Sequence, residues 1–328
     1  MLIRAWKEAM IMEKVLVTGG CGLIGQHICS GLLKKGYEVI AIDREETGYN
    51  DGKDNYTFVE CDPADKNTIA ELFEKYDFSA IVHAAFTVDN DFPPTITEGE
   101  MKACAAADKF IYHYAVTSTI KKIVMLSTSQ IYQITKSREP IREDSDLKPI
   151  TNYASMKYSS EKMMATEMQH HKEIIGCIIR FAPVYTHNFT DNLMVKITDP
   201  KDGSLFVYGQ GQYGFQFCCV HNLVDFILCF IKNADSTKYS GVYNVGDKLL
   251  TSAADIITFM REHHRLGAVV QKSPAGAMSK LKGIFGASKE EKQNYRFLDI
   301  NKLENNNMLD CTRASKLVTF RWDLHNTK

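Results

Sequence analysis

Between residue 14 and about residue 180, short runs of consecutive apolar residues alternate with longer stretches whose apolar positions recur every three or four residues. The short runs are rich in β-branched residues and predict strands at Val15–Val17, Glu38–Ile42, Thr57–Glu60, Ala80–Val82, Lys122–Leu126 and Gly176–Arg180. The longer stretches predict helices at Gly25–Lys35, Lys66–Lys75, Glu100–Thr117 and Tyr153–His171. This alternation implies an α/β fold, a Rossmann-type doubly wound parallel sheet with helices on both faces. Strands covered on both faces need no polar side, which is why these runs are continuously apolar.

The rhythm changes after residue 181. "FAPVYTHNFTDN" reads as loop, "SLFVYGQGQYGFQFCCVHNL" mixes aromatic strand patterns with glycine turns, and "GVYNVGD" predicts a short strand. The tail from 251 onward reads as helical, with a glycine- and lysine-containing stretch at 274–292. No internal repeat is visible. The expected organisation is a dinucleotide-binding domain over 12–182 plus about 218–248. A smaller substrate lobe over about 183–217 and 249–328 would close on the carboxyl edge of the sheet, where ligands of such folds bind.

Composition narrows the function classes. The chain has 328 residues, 45% hydrophobic, and a formal net charge of -1, enough for a sizeable core and too neutral to attract nucleic acid or an anionic membrane. The Lys34-Lys35 and Lys121-Lys122 pairs read as solvated helix ends or loops. Nine scattered cysteines lack the paired spacing of a zinc site, so no metal is expected, and an odd count fits reduced thiols in the cytoplasm. Cys218-Cys219 reads as strand packing. "LVDFILCFI" at 223–231 is shorter than the about 18 residues a span needs and predicts a buried helix. Residues 1–11 lack the apolar core of a signal peptide, and Met12 would itself be a natural start.

Candidate chemistry begins at "VTGGCGLIG". A glycine turn after the first strand lets a pyrophosphate approach the backbone, and the helix behind it offers unpaired N–H groups. Two frames overlap here, Gly20/Gly22/Gly25 and Gly19/Gly22/Gly25. Asp43 ends the second strand, where an acid can accept hydrogen bonds from an adenosine ribose, which favours NAD. Arg44 beside it could receive a 2′-phosphate, which leaves NADP open. Asp62 follows the third strand and could face the adenine.

A tyrosine four residues before a lysine on one helix shares a face with it, and the ammonium lowers the phenol's pKa. Such a tyrosine can exchange a proton with a substrate oxygen while a nicotinamide takes or gives a hydride. The spacing occurs at Tyr49/Lys53, Tyr132/Lys136, Tyr153/Lys157 and Tyr158/Lys162. The first lies in a loop, and the second follows a strand with no helical pattern. The last two share a helix on different faces, so at most one of them serves a site.

The ordered set "TGGCGLIG", "VIAID", "ECD", "IVHAA", "MLSTSQIYQ", "PITNYASMKYSSE", "IIRFAPVY" and "GVYNVG" resembles the extended short-chain dehydrogenase/reductases, the NAD-dependent epimerase/dehydratase proteins. The resemblance covers about 14–260, with a weak echo at "LDCTRASKL". It implies the frame Gly19, Gly22 and Gly25 with Thr18 before it, and it places Leu23 and Ile24 in the cofactor-binding turn. It implies Tyr153 as proton donor or acceptor, supported by the match of Pro149 and Glu161. Lys157 would tune Tyr153 and hold the nicotinamide ribose, and Thr128, with Ser127 close by, would hydrogen-bond the reacting oxygen. Ala84 and Ala85 would run under the cofactor, with His83 structural. NAD is the implied cofactor. A nucleotide sugar is the family's common substrate. A homodimer through the helices bearing Phe110, Tyr114, Met163 and Met164 is also implied.

The pattern departs on the substrate side. Ser129 and Gln130 stand where dehydratases carry Asp-Glu, which argues against elimination of water. Pro183, Phe215 and Asn222 replace the family's asparagine, phosphate-gripping arginine and aspartate, and its helical asparagine falls near Ala105. Pro183, Phe215 and Ser127 are the candidate substrate contacts. The leading expectation is an epimerase or reductase acting on a sugar or nucleotide sugar. The alternatives are a reductase of a non-nucleotide ketone or alcohol, and a cofactor-sensing binding module.

Overall fold

The computed structural model describes residues 12–86, 96–133, 139–199, 202–273 and 308–327. The residues 1–11, Lys136 and the stretch 274–292 singled out in the sequence lie outside that set.

Seven strands form one parallel sheet: β1 (Lys14–Thr18), β2 (Glu38–Asp43), β3 (Tyr56–Glu60), β4 (Ala80–His83), β5 (Lys122–Leu126), β6 (Ile175–Phe181) and β11 (Gly241–Val245). Their order is β11-β6-β5-β4-β1-β2-β3, so the chain winds outward from β1 to one edge, then restarts at β4 toward the other. The reversal leaves a crevice at the carboxyl ends of β1 and β4. Helices α1 (Leu23–Lys34), α2 (Lys66–Lys75), α3 (Glu98–Val116), α4 (Asn152–His170) and α6 (Val220–Asn233) cover the sheet.

Successive strand residues point to opposite faces. Val15, Val17, Val39, Ala41, Val82 and Val124 meet Ile28 and Leu32 of α1 and Val224 and Ile227 of α6 in one core. Leu16, Ile40, Ile42, Ile81 and Ile123 meet Ile69, Ile111, Tyr112 and Met164 of α2, α3 and α4 in the other. Burying each such side chain contributes roughly 1.5–3 kcal/mol, so a one-residue slip of any strand would exchange both cores' contents. Four helix starts are fixed by side chains: Asp65 caps α2, Thr97 and Glu100 form a capping box on α3, and Thr151 caps α4. The fourth, α7 (Ala253–His263), carries the box Ser252/Asp255. The first turn of α1, at Gly22, has no side-chain cap.

The remaining pieces are short: β7 (Val184–Tyr185), α5 (Asp191–Met194), β8 (Leu205–Tyr208), β9 (Gly214–Phe215), β10 (Cys218–Cys219), β12 (Thr251–Ser252) and β13 (Val269–Lys272). They surround a third core of Tyr185, Leu193, Ile197, Phe217, Ile256 and Phe259. Two expectations change here. "FAPVYTHNFTDN" contains β7 and the start of α5 rather than loop alone. The tail after 251 is not uniformly helical, because Val269–Lys272 pairs in parallel with β8. Its β-branched pair, Val269 and Val270, suits that strand. The final described segment holds a single helical turn, Thr312–Ser315.

Candidate active site

Thr18 ends β1, and Gly19 turns the chain at φ +67, a left-handed value that favours glycine. A Cβ on Gly19 would sit 2.7 Å from the backbone of Ala85, and one on Gly25 would sit 1.9 Å from the Gly19 carbonyl oxygen. Both positions thus require glycine, and Gly22 is the N-cap of α1. A Cβ on Gly20 would also lie 2.7 Å from Ala41 Cβ, so the left-handed φ of Gly19 is what distinguishes the two frames. Leu23 and Ile24 begin α1 directly behind the turn, and the Ala85 amide donates to Thr18 Oγ1 at 3.0 Å. Ala84 and Ala85 therefore pass beneath the turn at a spacing that larger backbone clearance would lose.

Asp43 faces this turn. Its Oδ2 accepts from the Cys21 amide at 3.0 Å and its Oδ1 from the Arg44 amide at 2.8 Å. Arg44 and Asp62 line one open pocket with Glu60, Cys61, Asp65 and Thr68. Asp62 Oδ1 also accepts from the Ala64 amide at 2.9 Å, so the residue turns the chain toward α2 as well as lining the pocket.

The end of β5 and the first turns of α4 hold the catalytic candidates. Lys157 on α4 is 4% exposed, and its Nζ donates to the Leu126 carbonyl at the end of β5, 2.8 Å away. That bond ties α4 to β5, and Thr128 lies two residues beyond Leu126. Thr128 Oγ1 accepts from the Gln130 amide at 3.2 Å, so the hydroxyl is oriented and still carries its own proton. Tyr153, one helical turn before Lys157, is half-buried, and its ring meets Phe86 edge-on at 5.8 Å. Phe86 also lies 3.5 Å from Lys157 Nζ, ring centroid to nitrogen. Burial lowers the Lys157 pKa from 10.5 to about 8, opposed by the charges of Asp108, Cys104 and Glu161.

The competing pairs go elsewhere. Lys162 lies over its own Tyr158 ring at 4.1 Å, and Lys53 lies over Tyr49 at 5.1 Å. Tyr132 Oη donates to Asn244 Oδ1 at 2.7 Å and accepts from Arg180 at 3.0 Å in the interior.

Ser127 is fully buried, and its hydroxyl donates to Glu161, which also holds Arg180 at 2.7 Å. Its proton is committed to that network rather than to the crevice. Pro183 is half-buried and its carbonyl accepts from the Cys218 amide at 3.0 Å. Phe215 pairs with Thr251 across β9 and β12, beside the rings of Tyr213 and Phe217. Lys196 Nζ lies 5.7 Å from the Phe215 ring centroid. Asn222, read above as a substrate-side position, is fully buried and serves another purpose. Its Oδ1 accepts from the amides of Arg321 and Trp322 at 3.1 Å each, and its Nδ2 donates to Asp247 at 2.7 Å. Phe110, Tyr114 and Met163 are partly buried against the core under the sheet, leaving part of each side chain at the surface, and Met164 is buried in that core.

Two residues emerge only from the structure, Phe86 and Asp108. Asp108 had a sequence signal: it lies on the apolar stripe Cys104, Ile111, Tyr112, Ala115, where a charge is out of place. Phe86 had none beyond following "HAA".

A profile of the NAD dependent epimerase/dehydratase family matches residues 15–246. The chain belongs to that family. It is thereby an extended short-chain dehydrogenase/reductase, and NAD is the cofactor that membership assigns. The UDP-glucose 4-epimerase of Bacillus subtilis is 28% identical over 167 residues, 46% of this chain and 46% of that protein. Human dTDP-D-glucose 4,6-dehydratase is 24% identical over 278 residues, covering 76% of this chain and 75% of the enzyme. Among solved structures, UDP-glucuronic acid 4-epimerase from Bacillus cereus in complex with NAD superposes with TM-score 0.69 at 19% identity, covering 96% of this chain and 95% of that one. At that identity the likeness establishes the fold. The seven-stranded sheet and its crevice are those of the family.

Within the family frame the structure fits NAD on its own terms. Gly19 and Gly25 clear the backbone where a Cβ would intrude, and the uncapped start of α1 faces the same turn. Among the described residues no cluster of three or more His, Cys, Asp or Glu could hold a metal ion, and no helix is long and apolar enough to cross a membrane.

Proposed function

We propose that this protein is a cytoplasmic epimerase or reductase that works on a hydroxyl or keto carbon of a nucleotide sugar, with Tyr153 handling the proton. The observation that carries this reading is the bond from Lys157 Nζ to the Leu126 carbonyl, which draws the Tyr153 helix onto the strand end that leads to Thr128. The glycine turn and Asp43 would hold the pyrophosphate and adenosine ribose, and Lys157 the nicotinamide ribose. Asp43's carboxylate disfavours a 2′-phosphate, so NAD rather than NADP is proposed. NAD, when bound, takes up and returns a hydride at its nicotinamide.

The chain's own residues do the rest. Thr128 hydrogen-bonds the substrate oxygen and fixes it against Tyr153. Tyr153 removes or returns the proton at that oxygen. Lys157, protonated below about pH 8, favours the phenolate through its charge. Phe86 shields this cluster from water on one side. Ser129 and Gln130 supply no carboxylate, which favours epimerase or reductase over dehydratase.

Lys196 beside Phe215 supports an anionic substrate where the family's arginine is missing. The half-buried aromatic pair of Tyr213 and Phe215 supports a second reading, a non-nucleotide ketone or alcohol as substrate. Thermal-shift screening of the NAD-loaded protein with UDP, GDP, CDP and dTDP sugars separates the two. Stabilisation by one of them is the expected result. No shift with any of them, together with turnover of a non-nucleotide ketone, transfers the assignment to the second reading.

Two further parts complete the proposal. The substrate lobe would comprise about 183–217 and 249–328. The protein would be a homodimer through α3 and α4, for which sedimentation at micromolar concentration is the test; a monomer alone contradicts it.

A further inference from the structure

The interior between the cofactor turn and α4 contains a chain of hydrogen bonds that the proposed reaction does not use. Thr18 Oγ1 lies 2.7 Å from His83 Nδ1, and His83 Nε2 lies 2.8 Å from Asp108 Oδ1. Asp108 Oδ2 accepts from the Ser160 hydroxyl. All four residues are at most 3% exposed. The Asp108 carboxylate can only accept, so Nε2 is the donor in that bond, and a neutral ring with its proton there leaves Nδ1 to accept from the Thr18 hydroxyl, which itself accepts from the Ala85 amide.

Charge accounting explains why an acid is needed there. Buried charges persist only when paired. Glu161 is already paired with Arg180 through two guanidinium nitrogens. Among the described residues, Lys157, three residues before Ser160 on α4, bonds the Leu126 carbonyl and lies over the Phe86 ring, both neutral. Of the two described carboxylates that act on Lys157, Glu161 is held by Arg180 and Asp108 is held by His83 and Ser160, and the Asp108 charge favours the Lys157 ammonium.

We propose that Asp108 is a positioning residue that supplies the buried counter-charge of Lys157 and, through His83 and Thr18, ties the NAD-binding turn to the helix bearing Tyr153 and Lys157. The role toward NAD rests on the function proposed above; the counter-charge does not. The groups facing Lys157 are Asp108 and Cys104 from α3, Glu161 from α4 with Arg180 of β6 behind it, and the Phe86 ring and Leu126 carbonyl. Asp108 is faced in turn by His83, Ser160 and the Tyr112 phenol, whose pKa burial pushes well above 10.

The test is urea unfolding of the full chain from pH 7.5 to 10, comparing wild type, Asp108→Asn, Lys157→Met and the double variant. A lysine whose folded pKa lies below its unfolded value opposes folding while charged, and that opposition is relieved as pH rises from about 8 toward 10.5. Asp108→Asn lowers the folded value further, so its midpoint deficit is largest at pH 7.5 and narrows by pH 10. Lys157→Met restores most of the Asp108→Asn loss at pH 7.5. A deficit that is constant with pH and not rescued by Lys157→Met overturns the proposal. If Asp108→Asn alone does not fold, the double variant must; failure of both also overturns it.

A second arm addresses the cofactor. Calorimetric titration with NAD should show affinity lost above about pH 8 in wild type, and lost about one pH unit lower in Asp108→Asn, a tenfold change in the protonation equilibrium. Unchanged pH dependence in the variant overturns the link to the turn. Absence of NAD binding in wild type at every pH overturns the assigned function and leaves the unfolding result to judge the counter-charge.

Discussion

The crevice at the ends of β1, β4 and β5 and the buried cluster around Asn222 and Asp247 handle their polar residues in opposite ways. In the crevice, Thr128 and Tyr153 stand at the mouth while buried partners, Lys157 and Asp108, hold their backbone supports in place. In the cluster, Asn222, a family position, and Asp247 are both buried. Asn222 clasps the segment at 321–322, and Asp247 accepts from Tyr185 Oη at 2.9 Å, the Cys219 amide at 2.7 Å and Asn222. In the first region, Thr128 and Tyr153 are the residues proposed to hydrogen-bond a ligand. The second uses its hydrogen bonds to join β7, β10, α6 and the C-terminal segment. Equivalent positions in a family can therefore carry either chemistry or architecture, and only the partners of the side chain show which.

Perturbing each region should have different consequences. The largest effect is expected for Gly25→Ala, whose new Cβ would meet the Gly19 carbonyl at 1.9 Å. Relieving that clash costs about 3 kcal/mol and displaces the turn, so NAD binding measured by calorimetry should disappear. Retained NAD affinity would remove the turn from the site.

Next comes the Asp247 cluster. Burial raises the Asp247 pKa to about 6, against 3.8 when exposed. The folded state then binds a proton more tightly than the unfolded state, so this group's stabilisation is full below about pH 4 and is lost as pH rises through 6. Asp247→Asn stays neutral, so its stability relative to wild type should improve by up to about 3 kcal/mol between pH 4 and pH 7. Denaturant midpoints across that range check the sign, and a pH-independent difference would place the carboxyl in water.

The smallest effect belongs to Asn222→Ala. It leaves Asp247 short of a donor and the Arg321 and Trp322 amides short of an acceptor, a loss of about 2 kcal/mol. Limited proteolysis should nick the chain within 308–327 faster, with NAD affinity unchanged. A drop in NAD affinity would erase the contrast between the two regions.

What the sequence made legible follows the same division. The strands were readable to within a residue because β-branched runs buried on both faces leave little choice of element. Local rules narrowed the chemistry to two overlapping glycine frames and four Tyr/Lys pairs, and only the resemblance to a family selected Gly19, Gly25, Tyr153 and Lys157 from among them. Helix starts at Leu23, Glu98 and Asn152 lay one or two residues earlier than expected, since Gly22, Thr97 and Thr151 cap them from outside the periodic pattern. The strand Val269–Lys272 was missed because its partner, β8, lies more than 60 residues away. Ser127 and Asn222 were placed on the substrate side, yet their partners Glu161, Asp247 and Trp322 lie 25 to 100 residues distant along the chain. Asp108 carried a local clue, an acid on an apolar stripe, but its meaning depended on His83 and Ser160 from two other elements.

The central claim is that Tyr153 moves the proton in a nicotinamide-dependent reaction. It is tested most directly by chromatographic analysis of the sugar products formed by the NAD-loaded wild type and Tyr153→Phe from the nucleotide sugar that stabilises the protein most, because an epimerase returns its hydride each cycle and accumulates no reduced nicotinamide. The account predicts turnover in the wild type and a fall on the order of 10²–10⁴-fold in the variant, with NAD still bound. Equal turnover by the two proteins would contradict it.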